Sequence, residues 1–404
     1  MQKKLLVVIT LLMPTKHYIK TLGIKINSKN IQVKYWNILS LINFKYFKTI
    51  ENSKLLKKNK KFKFIKSYKE LRREISKLPT NFFFADIVGN RFLGFVVNKV
   101  LTLKGGISIL IDLGGDIDIK INKLLVLKFF LQKREFVLLL TKINVYLFLS
   151  LLNIFVNFFL KKSDPKIVFA SNLYTYLKYK KKFRSAKIIK INSPDFESYL
   201  SLKRSKNYKK SKKNITYLDQ ALDENFDYRV RKFKNTTKFN PTYFWKKTNL
   251  FLKKIQYFYP KKKIIIANHP SRFKNDPPTN FSFRYDDSAN LVGKSDFVIT
   301  TYSLAASLAV LFEKPLILTY MDSFNFQSFE RLVIINFYKK KLGIKTINLE
   351  KLGNLEKKKF DLLKNSSISK KKYNQFKKNY LTFPDMKSQE DSWDKIFRYL
   401  NNYS

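Results

Sequence analysis

Three short segments carry side chains that could do chemistry, and each directly follows an apolar run. Asn268-His269-Pro270-Ser271-Arg272 comes after the run 263–267. An imidazole at a strand end, with a proline fixing the turn and a guanidinium close by, can bind a phosphate or a base edge. A buried structural histidine is the commoner use of a lone His, and the polar residues around His269 weaken that reading. Thr300-Thr301-Tyr302-Ser303 stands between an apolar run and a helical pattern. Hydroxyls and N–H groups at a helix start make an anion cradle. Plain N-capping by Ser303 accounts for the same residues, and both can hold at once. Tyr320-Met321-Asp322 follows a third run and reads as a turn before it reads as a ligand contact. In the N-terminal half, Asp86, Asp112 and Asp116 sit at or just beyond apolar runs. Asp112 and Asp116 can simply cap a loop.

Residues of this kind need strand ends to hold them, and the sequence supplies strands. Apolar runs at 3–10, 31–36, 62–65, 81–88, 107–113, 166–170 and 187–191 alternate with helical patterns at 68–78, 91–103 and 172–180. The run 107–113 is continuously aliphatic, as a strand with both faces buried should be. A second unit opens at 215–220. Asn240-Pro241 reads as an N-cap with proline at the first helical position, starting a helix to about 258. Strands at 263–267, 296–300 and 315–319 and helices at 287–294 and 303–312 follow. Ser388 and Asp391 have the spacing of a capping box before a last helix. The pattern predicts an α/β chain with two Rossmann-like, doubly wound domains.

Composition bounds the chemistry. The chain has 404 residues, 45% hydrophobic and 16% aromatic, which is ample for two large cores. The absence of Cys excludes thiolate metal sites, a cysteine nucleophile and disulfides. Two histidines, His17 and His269, are too few for a His-rich metal centre. The formal charge of +52 comes from 81 Lys+Arg against 29 Asp+Glu. Lysines spread along the whole chain alongside Asn, Ile, Phe and Tyr fit a coding bias more readily than one dedicated polyanion site. Such a surface nevertheless attracts anionic membranes and nucleotides.

Two segments leave alternatives open. Residues 5–13 could belong to a signal peptide, but no small-residue cleavage site follows, so a buried first strand is the preferred reading. Residues 124–160 are strongly apolar, and 145–160 carry no charge. At 16 residues that stretch is short of the roughly 20 that a bilayer span needs. A core helix or an interfacial helix is preferred to a full span. The basic run 203–213 reads as an exposed connector. The resulting division is an N-terminal domain 1–200 that includes 124–160, a linker 201–214, a second domain 215–380 and a terminal helix 381–404.

The stretch from 264 to 319 resembles the nucleotide-sugar half of GT-B glycosyltransferases. Specifically, it resembles bacterial capsule and lipopolysaccharide transferases of the polysialyltransferase and sialyltransferase type. Those families carry a His-Pro motif followed by a Ser/Thr-rich motif, matched here by His269-Pro270 and by Thr300-Thr301-Tyr302-Ser303. Ala309-Val310-Leu311-Phe312-Glu313-Lys314-Pro315-Leu316-Ile317 resembles the helix–strand step that follows. The resemblance covers roughly 215–320, and the N-terminal half joins it only by architecture. It implies two Rossmann-like domains facing a cleft, an acceptor-side N-terminal domain and a CMP- or UDP-type donor held by His269, Pro270, Arg272, Thr301 and Ser303. It implies no metal and no cofactor beyond the donor substrate, because dipoles and side chains stabilise the leaving group. The family's acidic-acidic-Gly motif is imperfect: Asp112-Leu113-Gly114-Gly115-Asp116 has Leu113 where the base is expected, leaving Asp112, Asp116 or Asp86 for that role.

The function that follows from the resemblance is transfer of a sugar to a surface-polysaccharide or lipid-linked glycan acceptor, by a cytoplasmic protein peripheral to the inner membrane and its anionic surface. A non-catalytic nucleic-acid-binding protein is the alternative raised by the charge, but no zinc finger, RNP-like strand or homeodomain pattern supports it, so no specific nucleic acid is expected. A membrane-associated export component would need clear apolar spans.

Overall fold

The computed structural model describes residues 4–11, 30–42, 47–48, 62–87, 92–112, 164–206, 208, 212–222, 240–269, 272, 278–285, 288–325, 329–353, 355–367, 369–383 and 390–403. The apolar segment 124–160, Asp116, Pro270, Ser271 and Ser388 lie outside them.

Two parallel sheets organise these residues. The first contains β1 Lys4–Thr10, β2 Ile31–Asn37, β3 Phe62–Phe64, β4 Phe82–Asp86, β5 Gly106–Ile111, β6 Ile167–Ala170 and β7 Lys187–Lys190. Its spatial order is β3-β2-β1-β4-β5-β6-β7, with each neighbouring pair parallel. The second contains β8 Asn214–Leu218, β9 Lys263–Ala267, β10 Ser282–Arg284, β11 Ser295–Thr300, β12 Leu316–Tyr320 and β13 Thr346–Asn348. Its order is β10-β9-β8-β11-β12-β13, again all parallel. In both, the order runs outward one way and then reverses, between β1 and β4 and between β8 and β11. These are the two doubly wound, Rossmann-like sheets that the alternation predicts. In such sheets the carboxyl ends beside the reversal form a crevice where ligands bind.

The strands are continuously apolar because helices cover both faces. Leu5, Val7 and Ile9 of β1 pack with Trp36, Phe82 and Phe84 on one side. Leu6 and Val8 pack on the other side with Phe83, Ile109, Phe169 and the terminal helix Ser392–Asn401, through Trp393, Ile396, Phe397 and Leu400. The chain thus ends by covering the sheet with which it begins. In the second sheet, Ile215, Tyr217, Ile264 and Ile266 face the helix Pro241–Phe258. Leu218, Val298 and Leu318 face the opposite core, which includes the helix Ala306–Leu311.

Caps fix the helix starts. Asn240 Oδ1 accepts from the Tyr243 N–H at 3.0 Å, with Pro241 at the first helical position, as the dipeptide predicts. Gly105 has φ +92°, and a Cβ there would lie 2.2 Å from the Thr80 carbonyl oxygen, so only glycine fits the turn into β5.

Three readings are corrected. The last helix is capped by Asp391, whose carboxylate accepts from the Trp393 N–H at 2.8 Å, so it begins at Ser392, four residues after Ser388. The helix expected over 303–312 is shorter, Ala306–Leu311, because hydroxyls take the N–H groups just before it. Part of the supposed connector 203–213 ends a helix, Pro194–Arg204, capped by Ser193. Its Phe196, Tyr199 and Leu202 pack on the second sheet's core.

Candidate functional site

The richest set of buried polar groups gathers at the reversal of the second sheet. The tips of β9, β8 and β11 stand side by side there, carrying Asn268-His269, Asp219-Gln220 and Thr300-Thr301. They are laced together by backbone bonds: the Asp219 N–H donates to the Ala267 carbonyl at 3.0 Å, and the Asn268 N–H to the Arg284 carbonyl at 2.9 Å. Gln220 closes the β8–β11 side. Its Nε2 donates to Thr300 Oγ1 at 2.7 Å and to the Leu218 carbonyl. The turn beyond is held by Asp219, whose Oδ1 accepts from the Ala221 N–H at 3.0 Å. Ala221 has φ +47°, a left-handed conformation costly for alanine.

Arg272 returns to this cluster. Its Nε donates to Asp219 Oδ2 at 2.8 Å, with both side chains shut off from solvent, and its guanidinium lies 5.7 Å from the centre of the Trp245 ring. Its N–H donates to the His269 carbonyl at 2.9 Å. His269 itself is half-buried. Arg272, expected as a donor contact, is thus tied to Asp219 through its side chain and to His269 through its backbone.

Asn268 stands out chemically. It is 2% exposed, and neither atom of its carboxamide has a hydrogen-bond partner among the described residues. Gln220 Oε1 is also buried without one. Unsatisfied buried polar atoms cost about 1–3 kcal/mol each, so the Asn268 carboxamide and Gln220 Oε1 are costly groups on adjacent strand tips. Sequence reasoning gave neither residue a role. The signal was available: each is a carboxamide within two residues of the end of an apolar strand.

The hydroxyl segment is arranged differently from a simple cradle. Thr300 Oγ1 accepts from the Ser303 N–H at 3.3 Å, and Ser303 Oγ from the Ala305 N–H at 3.2 Å. These local bonds compete with the helix and delay its start to Ala306. Thr301 Oγ1 meets Thr319 Oγ1 of β12 at 3.2 Å. His269 and Ser303 follow strands β9 and β11, which flank β8, so the two strand tips are roughly 10 Å apart at ordinary strand spacing, with the β8 tip and its Gln220 between them. On the same side of the sheet, Tyr217 is buried near Thr248 and Thr301, and burial pushes its phenol well above the ordinary value.

In the first sheet, Asp86 ends β4 beside β1, at the strand reversal. Asp112 follows β5, and its Oδ2 accepts from the Ser171 N–H at 3.2 Å and Oγ at 2.7 Å, tying the end of β5 to the loop after β6. Asp116 lies outside the described residues. Among the described residues, no group of three or more His, Asp or Glu side chains is placed to hold a metal ion. No described helix is long and apolar enough to cross a membrane.

No family model and no curated protein matches the chain. Solved structures do align with it. The spinosyn forosaminyltransferase SpnP is 8% identical over 93% of this chain and 92% of that one, with a TM-score of 0.44. A variant of the wall teichoic acid polymerase TagF is 12% identical over 99% of this chain and 87% of that one, at 0.46. The Methanocaldococcus jannaschii UDP-GlcNAc 2-epimerase, in complex with UDP-GlcNAc and UDP, is 12% identical over 99% of both chains, at 0.45. At these identities and scores, no role passes from those proteins to a residue of this chain.

Proposed function

We propose that the chain is a glycosyltransferase that binds a nucleotide sugar at the carboxyl edge of its second sheet. The observation that carries this reading is the buried Asn268 carboxamide, without a partner among the described residues, with the buried Gln220 Oε1 on the next strand tip, beside His269 at the strand reversal. An amide offers a donor and an acceptor at once, which suits a base edge or a ribose. An imidazole on the next residue suits a phosphate. The motif resemblance of 264–319 supports a CMP- or UDP-type donor.

In this mechanism, an acceptor hydroxyl attacks the anomeric carbon, the C–O bond to the nucleotide breaks, and the nucleotide leaves with both bonding electrons. A carboxylate of the first sheet takes the hydroxyl proton. Asp86, Asp112 and Asp116 are the candidates, and Asp86 stands at that sheet's own reversal. His269 meets the departing phosphate, and Asn268 and Gln220 hold the nucleoside. Arg272 anchors the backbone next to His269, while Thr301 and Ser303 shape the far wall. The acceptor is a surface polysaccharide or a lipid-linked glycan, reached at an anionic cytoplasmic membrane surface. The test is calorimetry of the wild type and His269→Ala against CMP-, CDP- and UDP-linked sugars. Binding by the wild type that the variant loses supports the reading, and equal binding by both removes His269 from it.

A further inference from the structure

The helix Pro241–Phe258 covers one face of the second sheet, on the side away from solvent burying Phe244, Trp245, Phe251, Leu252, Ile255 and Phe258. Its outer side is unusual. Tyr243, Leu250 and Tyr257 are 37%, 49% and 82% exposed. They are spaced seven residues apart, so they form nearly one line with steps of about 10.5 Å along the helix axis. Lysines flank that line on both sides: Lys246 and Lys253 on one, Lys247 and Lys254 on the other. Segment 241–263 holds seven lysines and no acidic residue. The neighbouring helix Lys357–Ser366, joined through Phe360 against Phe251 and Phe258, adds Leu362 at 65% exposure and three exposed lysines in its first turn. Glu350 at the Tyr243 end is already taken, accepting from the Tyr243 hydroxyl at 3.4 Å and the Ser323 N–H at 3.1 Å.

We infer that this outer face is a docking surface for an anionic lipid bilayer. Charge complementarity argues for an anionic partner, and the apolar row decides its kind. A nucleic-acid backbone rewards the lysines but gains nothing from Leu250 and Leu362, whereas a lipid interface takes aliphatic side chains at the acyl boundary, tyrosines at headgroup level and lysines reaching out to phosphate. The helix would lie in the plane of the interface, with its apolar row inserted. This extends the proposed transferase, since it fixes which face meets the membrane, yet it is tested without any sugar donor.

The experiment is flotation of the full chain with vesicles of phosphatidylcholine alone, or of phosphatidylcholine with phosphatidylglycerol, comparing wild type with Leu250→Asp and with Lys246→Glu/Lys253→Glu. Circular dichroism establishes that each variant is folded. The wild type should float with the anionic vesicles and stay behind with the neutral ones. Because each lysine near such a surface contributes roughly fivefold, the double variant should bind more than tenfold more weakly. Leu250→Asp should also weaken binding, because it removes an inserted aliphatic side chain and sets a repelled carboxylate in its place. Equal flotation of wild type and folded variants, or no flotation of the wild type, overturns the inference. So does loss of RNA retention in the variants with flotation unmoved, which would assign the face to nucleic acid. Calorimetry with nucleotide sugars in the absence of vesicles reads the transferase separately, so either idea can fail alone.

Discussion

Arg272 and Asp219, 53 residues apart, form an ion pair with both side chains shut off from water, and the pair ties the segment after β9 to the end of β8. Such a pair contributes little net stability, because desolvation offsets attraction, but breaking it leaves a charge stranded. Arg272→Met should therefore cost about 3–5 kcal/mol in denaturant unfolding. The double variant Asp219→Leu/Arg272→Met should cost less than that single change, since it removes both charges. A double variant as unstable as the sum of its parts would mean that the two residues act separately.

Asn268 gives the opposite signature. Its unsatisfied amide burdens the protein without ligand, so Asn268→Ala should leave the unfolding midpoint unchanged or raise it, even though the residue is buried. Nucleotide-sugar affinity should fall by about 1–3 kcal/mol, the range for a lost buried hydrogen bond. A large loss of stability without ligand would identify Asn268 as scaffold, and unchanged affinity would remove it from the site.

The contrast between these residues explains what the sequence could disclose. Strands such as β1, β5 and β9 are legible because burial on both faces demands unbroken aliphatic runs. Their carboxyl ends, and hence the neighbourhood of His269 and Thr300, are then legible too. Strands β10 and β13 have three residues each and no period to detect. The helix Pro194–Arg204 carried its cap, Ser193-Pro194, and apolar residues at Phe196, Tyr199 and Leu202, but the lysines after it dominate a charge reading. The Asp219–Arg272 pair depends on two strands meeting in the fold, and no local pattern encodes that. The reversal order decides the rest: β8 between β9 and β11 puts Gln220, and no hydroxyl of the Thr/Ser segment, next to the His269 strand.

Four buried tyrosines set an alkaline limit. Tyr35, Tyr217, Tyr338 and Tyr373 all have phenols pushed upward, chiefly by burial. Unfolded tyrosine ionises near pH 10. Below that pH both states hold the proton, and the buried phenols contribute no pH dependence. Above it, the unfolded chain sheds protons that the native state keeps, so stability falls with rising pH. Tyrosinate absorbance should therefore titrate in two phases, exposed phenols near pH 10 and the buried set only as the chain unfolds. A single phase with the fold intact would contradict the burial.

Lys4 connects the two ends of the chain. Its ammonium donates to the carbonyls of Leu400, Asn401 and Tyr403 at 3.3, 2.9 and 2.5 Å, at and just beyond the end of the terminal helix. A cation there also meets the negative end of the helix dipole. Because Lys4 opens β1, the contact pins the helix end against the sheet that the helix covers. Lys4→Met keeps the aliphatic stem and removes the donor, and should cost about 2 kcal/mol, the scale of hydrogen bonds to a charged group. The loss should be local. Amide exchange should quicken over the last turn, around Leu400 and Asn401, while the first turn, held by Asp391 and by Glu197 accepting from the Ser392 N–H at 2.6 Å, keeps its protection. Uniform quickening along Ser392–Asn401 would show that the helix is held by Trp393, Ile396 and Phe397 as one cooperative unit, with Lys4 adding nothing specific to its end.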